Sequence, residues 1–370
     1  MITCDYNGGL GNQLFQIFNC ISYSLDHNID FFFIYKKVLV RSLNNHTERC
    51  TYWDNLLNNL HKLNNDIIIN KDFIDDVNNT IDTNENIDSI NANERNGVND
   101  RNISFLTKII NLNHIKKKYL KESRYNYDKL INITTNYKTQ DIIFVLSGYF
   151  QSPKYFCHNQ KQIINILNLN MKKRNVYNKF LKIYNKLLLS NNYKINNDFF
   201  TNFISIHFRI GDYARLLHTY IILDVNYYIN SLNYIFKKIR NSTYYNSTLY
   251  ILYFCEDEDF NNIQSIIHKL NILFDNLIFI KINSSSHNHN EKINNISFED
   301  WEQMLLMSLC QYNIIANSTF SWWGSYLNEH ADIICFPEIW FNKNNVKKLN
   351  TKDLLDTSIL GDKWIMIKNS

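Results

Sequence analysis

From residue 203 onward the chain alternates between two kinds of segment. Short apolar runs at 203–208, 249–254, 277–282, 314–316 and 333–336 are separated by stretches with helical spacing at 227–240, 260–270, 299–311 and 320–329. Strands that are apolar on both faces need cover on both faces, and the intervening helices supply it. The pattern therefore predicts an α/β fold built on a parallel, doubly wound sheet. The opening of the chain repeats the theme more weakly. A strand at 2–6 leads through NGGLG into a helix marked by Leu14, Phe18, Ile21 and Leu25, and a second strand follows at 31–35. Strand returns at 142–146, and 160–191 reads as helical, a bridge between two Rossmann-like halves.

At 370 residues the chain exceeds the usual size of one core, which also favours two domains. The expected division is 1–195, 196–345 and a tail of 346–370 packing back on the first domain. Within the first, 70–102 turns to Asn, Asp, Thr and Glu, too polar to offset the entropy of ordering, and reads as a surface loop or disordered insertion.

Glycine is scarce, with eight in the chain, while Asn, Ile, Lys, Tyr and Phe are abundant, as AT-rich codons would give. A glycine that persists against such a bias marks a backbone position other residues tolerate poorly. Three of the eight are Gly8, Gly9 and Gly11. A strand, glycine loop and helix can present backbone N–H groups to an anion. Gly9 and Gly11 match the start of a dinucleotide fingerprint, but Leu14 stands at its third glycine. A structural turn and a dinucleotide site remain equal readings, and neither explains the polar pair Asn12-Gln13.

The second constellation is SIHFRIGDY, residues 205–213, at the end of a predicted strand, where open α/β sheets place ligand groups. His207 and Arg209 are two apart and share a strand face. Arg209 offers a planar fork of donors suited to phosphate, Gly211 permits a sharp turn, and Asp212 adds a carboxylate. The third is ANSTFSWWG, residues 316–324, where another strand runs into a helix. Ser318, Thr319 and Ser321 bring hydroxyls to the helix N-terminus. Core packing is the better reading for at least one of Trp322 and Trp323.

Other signals exclude function classes. CEDED, residues 255–259, contains a D-x-D resembling that of metal-dependent sugar transferases, but it precedes a helix and reads as helix capping. No other cluster has metal spacing. The +4 charge is thinly spread, and the runs Lys116-Lys117-Lys118 and Lys172-Lys173-Arg174 read as solvated helix faces, not a nucleic-acid surface. Seven scattered cysteines without C-x-x-C fit reduced thiols. With no basic leader and no long apolar run, the expectation is a cytoplasmic or cytosol-facing chain, not secreted, lacking a transmembrane segment but open to peripheral membrane contact. The N-x-S/T triplets at Asn102 and Asn246 read as chance matches.

The three constellations, in this order, resemble the α-1,2-fucosyltransferase family through GGLGNQLFQ, HFRIGDY and NSTFSWW. Weaker similarity runs through SGYFQS at 147–152 and FPEIWF at 336–341, so the likeness spans nearly the whole chain except the Asn-rich stretch. The resemblance implies a GT-B fold, two Rossmann-like domains facing across a cleft. It also implies inverting, metal-independent transfer of L-fucose from GDP-fucose to the 2-hydroxyl of a terminal galactose on a glycan, with no cofactor. On that resemblance Arg209 binds the diphosphate, with His207, Gly211, Asn317, Ser318, Thr319 and Ser321 around the donor. Gly8, Gly9, Gly11, Asn12 and Gln13 form a cleft loop toward donor or acceptor. Arg209 and Asp212 are the catalytic candidates, Asp212 as general base or as the holder of Arg209.

One departure stands out. The family usually carries a second arginine where this chain has Ile210. On a strand that residue faces away from Arg209, so the expected loss is structural. Two other classes compete: a glycan-binding protein on a degenerate transferase scaffold, supported by Ile210, and an NAD-dependent oxidoreductase, which leaves the second and third motifs unexplained.

Overall fold

The computed structural model describes residues 1–40, 48–60, 62–64, 116–122, 127, 142–191, 199–239, 248–284, 297–342 and 351–369. The Asn-rich stretch 70–102 lies outside them, as do Asn102 and Asn246. The α/β expectation holds, with parallel pairing in both main sheets.

In the first half, strand β1 (Ile2–Asp5) leads into helix α1 (Leu10–His27). Strands β2 (Phe33–Tyr35), β3 (Val38–Val40), β4 (Glu48–Cys50) and β5 (Lys62–Asn64) follow, then β6 (Lys116–Lys121) and β7 (Ile142–Ser147). The sheet β1-β7-β6 is parallel throughout, while β2 pairs with β5 and β3 pairs antiparallel with β4. The run Lys116-Lys117-Lys118, expected on a helix face, instead opens strand β6, which among the described residues lies at the edge of its sheet, where lysines discourage pairing with other chains.

The bridging segment is two helices, α2 (Gln160–Ile166) and α3 (Leu169–Ser190), broken where Asn168 takes a left-handed conformation that asparagine tolerates. Lys172 and Lys173 on α3 are buried, against the expectation of a solvated face. The Lys172 ammonium donates to Asn59 Oδ1 (2.5 Å) and Leu167 O (2.7 Å), and Lys173 donates to Leu327 O (2.5 Å). Their aliphatic stems lie in the core and each charged head finds a carbonyl.

The second half contains β8 (Phe200–His207), α4 (Val225–Ile239), β9 (Leu249–Phe254), α5 (Phe260–Leu273) and β10 (Leu277–Lys281). It continues through α6 (Asp300–Met307), β11 (Cys310–Ile314), α7 (Thr319–Tyr326), β12 (Ile333–Pro337), α8 (Thr357–Leu360) and β13 (Trp364–Ile367). Strand β9, LYILYF, is buried at every position, as a strand covered on both faces requires. Helix α4 buries Tyr227, Tyr228, Leu232, Ile235 and Ile239, a stripe with helical spacing. The sheet order is β10-β9-β8-β11-β12-β13. Counted from β8 this is 3-2-1-4-5-6, the doubly wound order whose ligand crevice lies between strands 1 and 4.

Two boundaries differ from the sequence pattern. The helix expected at 299–311 stops at Met307, and β11 begins at Cys310 in place of 314. The stretch MLLMSLCQYNII is too uniformly apolar to carry either period. The tail also divides: Asp353 and Asp356 pair with Lys154 of the first half, whereas Trp364–Ile367 adds the sixth strand to the second sheet.

The halves share one core. A single cluster runs from Ile2, Phe15 and Phe18 through Phe156 to Trp322, Trp323 and Trp364. Both tandem tryptophans are fully buried. Trp323 packs on Phe15, Phe18 and Phe156, and its indole donates to Gly11 O at 2.8 Å. Among the described residues no helix is long and apolar enough to cross a membrane, and no disulfide joins the cysteines.

Candidate functional site

The carboxyl ends of β8 and β11 meet at the topological switch point, and both sequence motifs emerge there. After β8 the backbone turns at Gly211, whose φ of +27° lies in the region that favours glycine. A Cβ at this position would fall 2.2 Å from Glu256 Oε2, so any side chain would displace that carboxylate. The Gly211 N–H donates to Asp259 Oδ2 at 2.7 Å, tying the turn to the loop after β9.

Arg209 sits inside this turn. Its Nη1 donates to Glu256 Oε1 and its Nη2 to Asp212 Oδ1, and its guanidinium lies 5.0 Å from the centre of the Tyr213 ring. Burial opposes its charge, but Glu256 and Asp212 outweigh burial and hold its pKa above the ordinary value. Ile210, the next residue, packs against the apolar cluster of Phe208, Leu223 and Tyr227. Strand β8 ends at His207, so Arg209 and Ile210 lie beyond it, and the strand alternation expected to set Arg209 on the face of His207 and Ile210 opposite does not extend to them; it is packing on this cluster that places Ile210.

His207, at the last position of β8, is buried with its ring 5.4 Å from that of Phe320. Burial first, and then the positive charge of Arg209, push its pKa down to about 3. The imidazole is therefore neutral at physiological pH. Positive charge at the end of β8 comes from Arg209.

Beyond β11, Asn317 is buried, and its Nδ2 donates to Ile221 O (3.0 Å) and Trp340 O (2.9 Å). Its backbone carbonyl accepts from Tyr213 OH (2.9 Å), which joins the second and third motifs. Ser318 caps α7, its Oγ accepting from Phe320 N at 3.3 Å. Ser321 is buried and donates to Ala316 O (3.4 Å) and Ser318 O (3.3 Å). Thr319 donates to Asn12 Oδ1 at 3.0 Å, so the third motif reaches the first.

The opening loop completes the arrangement. Gly8 has φ +81°, and Gly9 is the residue preceding α1. A Cβ on Gly11 would lie 2.5 Å from the Thr319 carbonyl carbon, so this glycine is what lets α1 and α7 touch backbone to backbone. Asn12 Oδ1 also accepts from Gln151 Nε2 (2.9 Å). Gln13 is buried and donates to Gly8 O (2.9 Å) and Cys50 O (2.8 Å). Asn12 and Gln13, the pair the fingerprint left unexplained, thus hold the loop, helix α7 and strand β4 together.

Three residues of the site escaped the sequence reading. Glu256 and Asp259 lie in the acidic run assigned to helix capping, yet Asp259 makes no side-chain cap to α5 and instead holds Gly211. Asp257 pairs with Lys281 at 3.0 Å. The order β9-β8 explains their role: adjacent strands end side by side, and a strand-end acidic run one strand from Arg209 was the available signal. Arg49, on β4, is the third. Its Nη2 lies 3.4 Å from Asp212 Oδ2. Among the described residues no group of three or more His, Cys, Asp or Glu is placed to hold a metal.

The model of glycosyl transferase family 11 matches residues 277–360. The O-antigen biosynthesis glycosyltransferase WbnK of Escherichia coli is 30% identical over 240 residues, 64% of this chain and 66% of that protein. An alpha-1,2-colitosyltransferase of Escherichia coli is 28% identical over 172 residues, 45% of this chain and 48% of that protein. Among solved structures, Arabidopsis thaliana FUT1 in complex with GDP has a TM-score of 0.39 at 10% identity, covering 88% of this chain and 68% of that one. The alpha-1,6-fucosyltransferase NodZ soaked with GDP-fucose has a TM-score of 0.35 at 11% identity, covering 93% and 96%. The resemblance drawn from the three motifs is borne out by the family match and these two relatives.

Proposed function

We propose that this chain is a glycosyltransferase that moves L-fucose from GDP-fucose to the 2-hydroxyl of a terminal galactose on a glycan, with inversion and without a metal. The observation that supports it most is Arg209, fixed at the switch point of the second sheet with the N-terminus of α7 beside the adjoining strand end. Departure of GDP builds negative charge on the β-phosphate. A preorganised guanidinium, with the N–H groups that open α7, stabilises that charge without reorganising at the moment of reaction. Asp257 and Asp259, the carboxylates that resemble a metal-binding pair, are engaged by Lys281 and the Gly211 N–H, which suits a metal-independent reaction.

In this reading the second half binds the donor through Arg209, Gly211, Asn317 and Ser318, and the first half offers the acceptor side. His207, neutral, serves as a wall or hydrogen-bonding partner of the nucleotide. Asp212 has both oxygens on guanidinium groups, so its role in this geometry is to hold Arg209. The acceptor hydroxyl must still lose its proton, and the inverting step needs a base on the acceptor side of the cleft. The relative named as a colitosyltransferase makes a colitosyl donor the main competitor to GDP-fucose. The scattered cysteines without C-x-x-C suit a reducing, cytosol-facing compartment.

The deciding experiment is turnover of GDP-fucose and of a colitosyl donor against a panel of galactosides, with and without EDTA, with the product linkage determined. The proposal expects α-1,2-fucosylated product that EDTA does not reduce, and loss of about 10²–10³ in rate on Arg209→Ala. Sugar binding with no turnover of either donor would point to a glycan-binding protein on this scaffold. Turnover of the colitosyl donor alone would correct the donor.

A further inference from the structure

Arg209 meets a diphosphate with its charge already more than offset. Glu256 and Asp212 both sit on its guanidinium, so one arginine and two carboxylates form a core with no net positive charge. A diphosphate carries more negative charge than a single guanidinium offsets, and bringing like charge against those carboxylates opposes binding. A second cation is needed. Neither neighbour of Arg209 in the motif provides it: His207 is neutral, and Ile210 faces the apolar cluster.

We infer that Arg49, delivered from the first half of the chain, is the second cation for the donor diphosphate; this rests on the function proposed above. Strand β4 is tied down around it. The Cys50 carbonyl accepts from Gln13 of the opening loop, at 2.8 Å. Just beyond, Tyr52 OH donates to Asp300 and Asn55 Nδ2 to Glu299 Oε2 (2.8 Å), both at the start of α6 in the second half. The Arg49 backbone is thus anchored between the two halves.

Its head group is not. Among the described residues the guanidinium makes one hydrogen bond, the 3.4 Å contact to Asp212 Oδ2, near the outer limit for such a bond, and the side chain is 43% exposed. Exposed pairs of this kind contribute little, so redirecting Arg49 from Asp212 to a phosphate oxygen costs little, whereas a bidentate arginine–phosphate contact is among the stronger charge-assisted pairs. Asp212 lies between the two arginines, with Oδ1 on Arg209 and Oδ2 toward Arg49, and spaces them on one carboxylate. A diphosphate bound there is gripped from both halves at once.

The test is calorimetric binding of GDP and of GMP to the full chain, comparing wild type with Arg49→Ala and Arg49→Lys. Each variant is also placed in an Asp212→Asn background, and thermal melts without nucleotide report folding. The inference expects Arg49→Ala to weaken GDP binding by about tenfold to a hundredfold, GMP much less, and Arg49→Lys to recover part of the loss. It also expects the loss to persist in the Asp212→Asn background, and the salt dependence of GDP binding to flatten. GDP affinity within twofold of wild type in Arg49→Ala would overturn it. So would a loss that disappears when Asp212 is already Asn, because Arg49 would then act only through Asp212. Should Arg49→Ala fail to fold, Arg49→Lys and Arg49→Gln decide by the same GDP-to-GMP ratio. Absence of GDP binding by the wild type would instead sink the proposed function, and this inference with it.

Discussion

The two halves of this chain reach order by different routes. In the second, six strands follow one rule, parallel and doubly wound, and the rule alone brings the ends of β8 and β11 together with Arg209 and Asn317 upon them. In the first, the described residues form a sheet of three strands and two two-stranded pairs. Its contributions to the site, Gly11, Asn12 and Arg49, are placed by packing against α6, α7 and the Gly211 turn. A site assembled this way is positioned by topology on one side and by side-chain fit on the other. The contact of α1 with α7 is where the two meet.

The strongest way to break this comparison is Trp323→Ala. It removes a fully buried ring that touches Phe15, Phe18 and Phe156, and it should cost about 3–5 kcal/mol. Denaturant unfolding followed by tryptophan fluorescence should show one transition at lower midpoint. Two separated transitions would mean that the halves hold independent cores.

A sharper cut at the same contact is Gly11→Ala. The added methyl has backbone atoms of Thr319 within 2.7 Å, and overpacking of this kind costs about 1–3 kcal/mol. Gly9→Ala, where nothing lies within 4 Å of the new Cβ, should change stability by a few tenths of a kcal/mol. Equal melting temperatures for the two variants would contradict the close approach of α1 and α7.

Lys173, which donates to the end of α7, offers a pH handle on the joint. Burial pushes its pKa down from 10.5 to about 8, with the charge of Glu329 opposing the shift. The unfolded chain therefore binds this proton more tightly than the folded one. Stability from this group is full above 10.5 and falls as pH drops through about 8. Thermal melts across that window should show wild type gaining on Lys173→Met as pH rises, by about 3 kcal/mol. A constant difference between the two would place the ammonium in water.

The smallest effect is expected from Ile210→Arg. Because residue 210 faces the apolar cluster, GDP affinity should stay within about twofold of wild type while stability falls. A sharp gain in affinity would show that this position can reach the diphosphate after all.

How much of this was legible in the sequence follows the same division. Strand β9 was readable to the residue, because a run apolar on both faces and bounded by polar turns has one interpretation. Residues 299–316 were not, since MLLMSLCQYNII satisfies helix and strand alike and its division is set by packing. Strand β13 was missed because Trp364–Ile367 joins the sheet as a short edge with no helix pattern after it. At the candidate site, the positions of Arg209 and Asn317 just beyond the ends of β8 and β11 were readable, because each follows a short apolar run that stops at polar residues. Glu256 was overlooked because sequence distance hid the adjacency of β9 and β8. Arg49 lies in a three-residue strand, ERC, and nothing in its surroundings announces a partner 163 positions away.

The bond from Trp323 to Gly11 has a further consequence, in time. Its partners are separated by 312 positions, and the apolar face of α1 that carries Phe15 and Phe18 is made among the first residues of the described chain. That face gains its native cover only once α7 has been synthesised. Contacts so remote in sequence slow folding and leave apolar surface open meanwhile. The nascent first half therefore emerges as an unfinished surface, and completion of the fold waits on the segment that also closes the site.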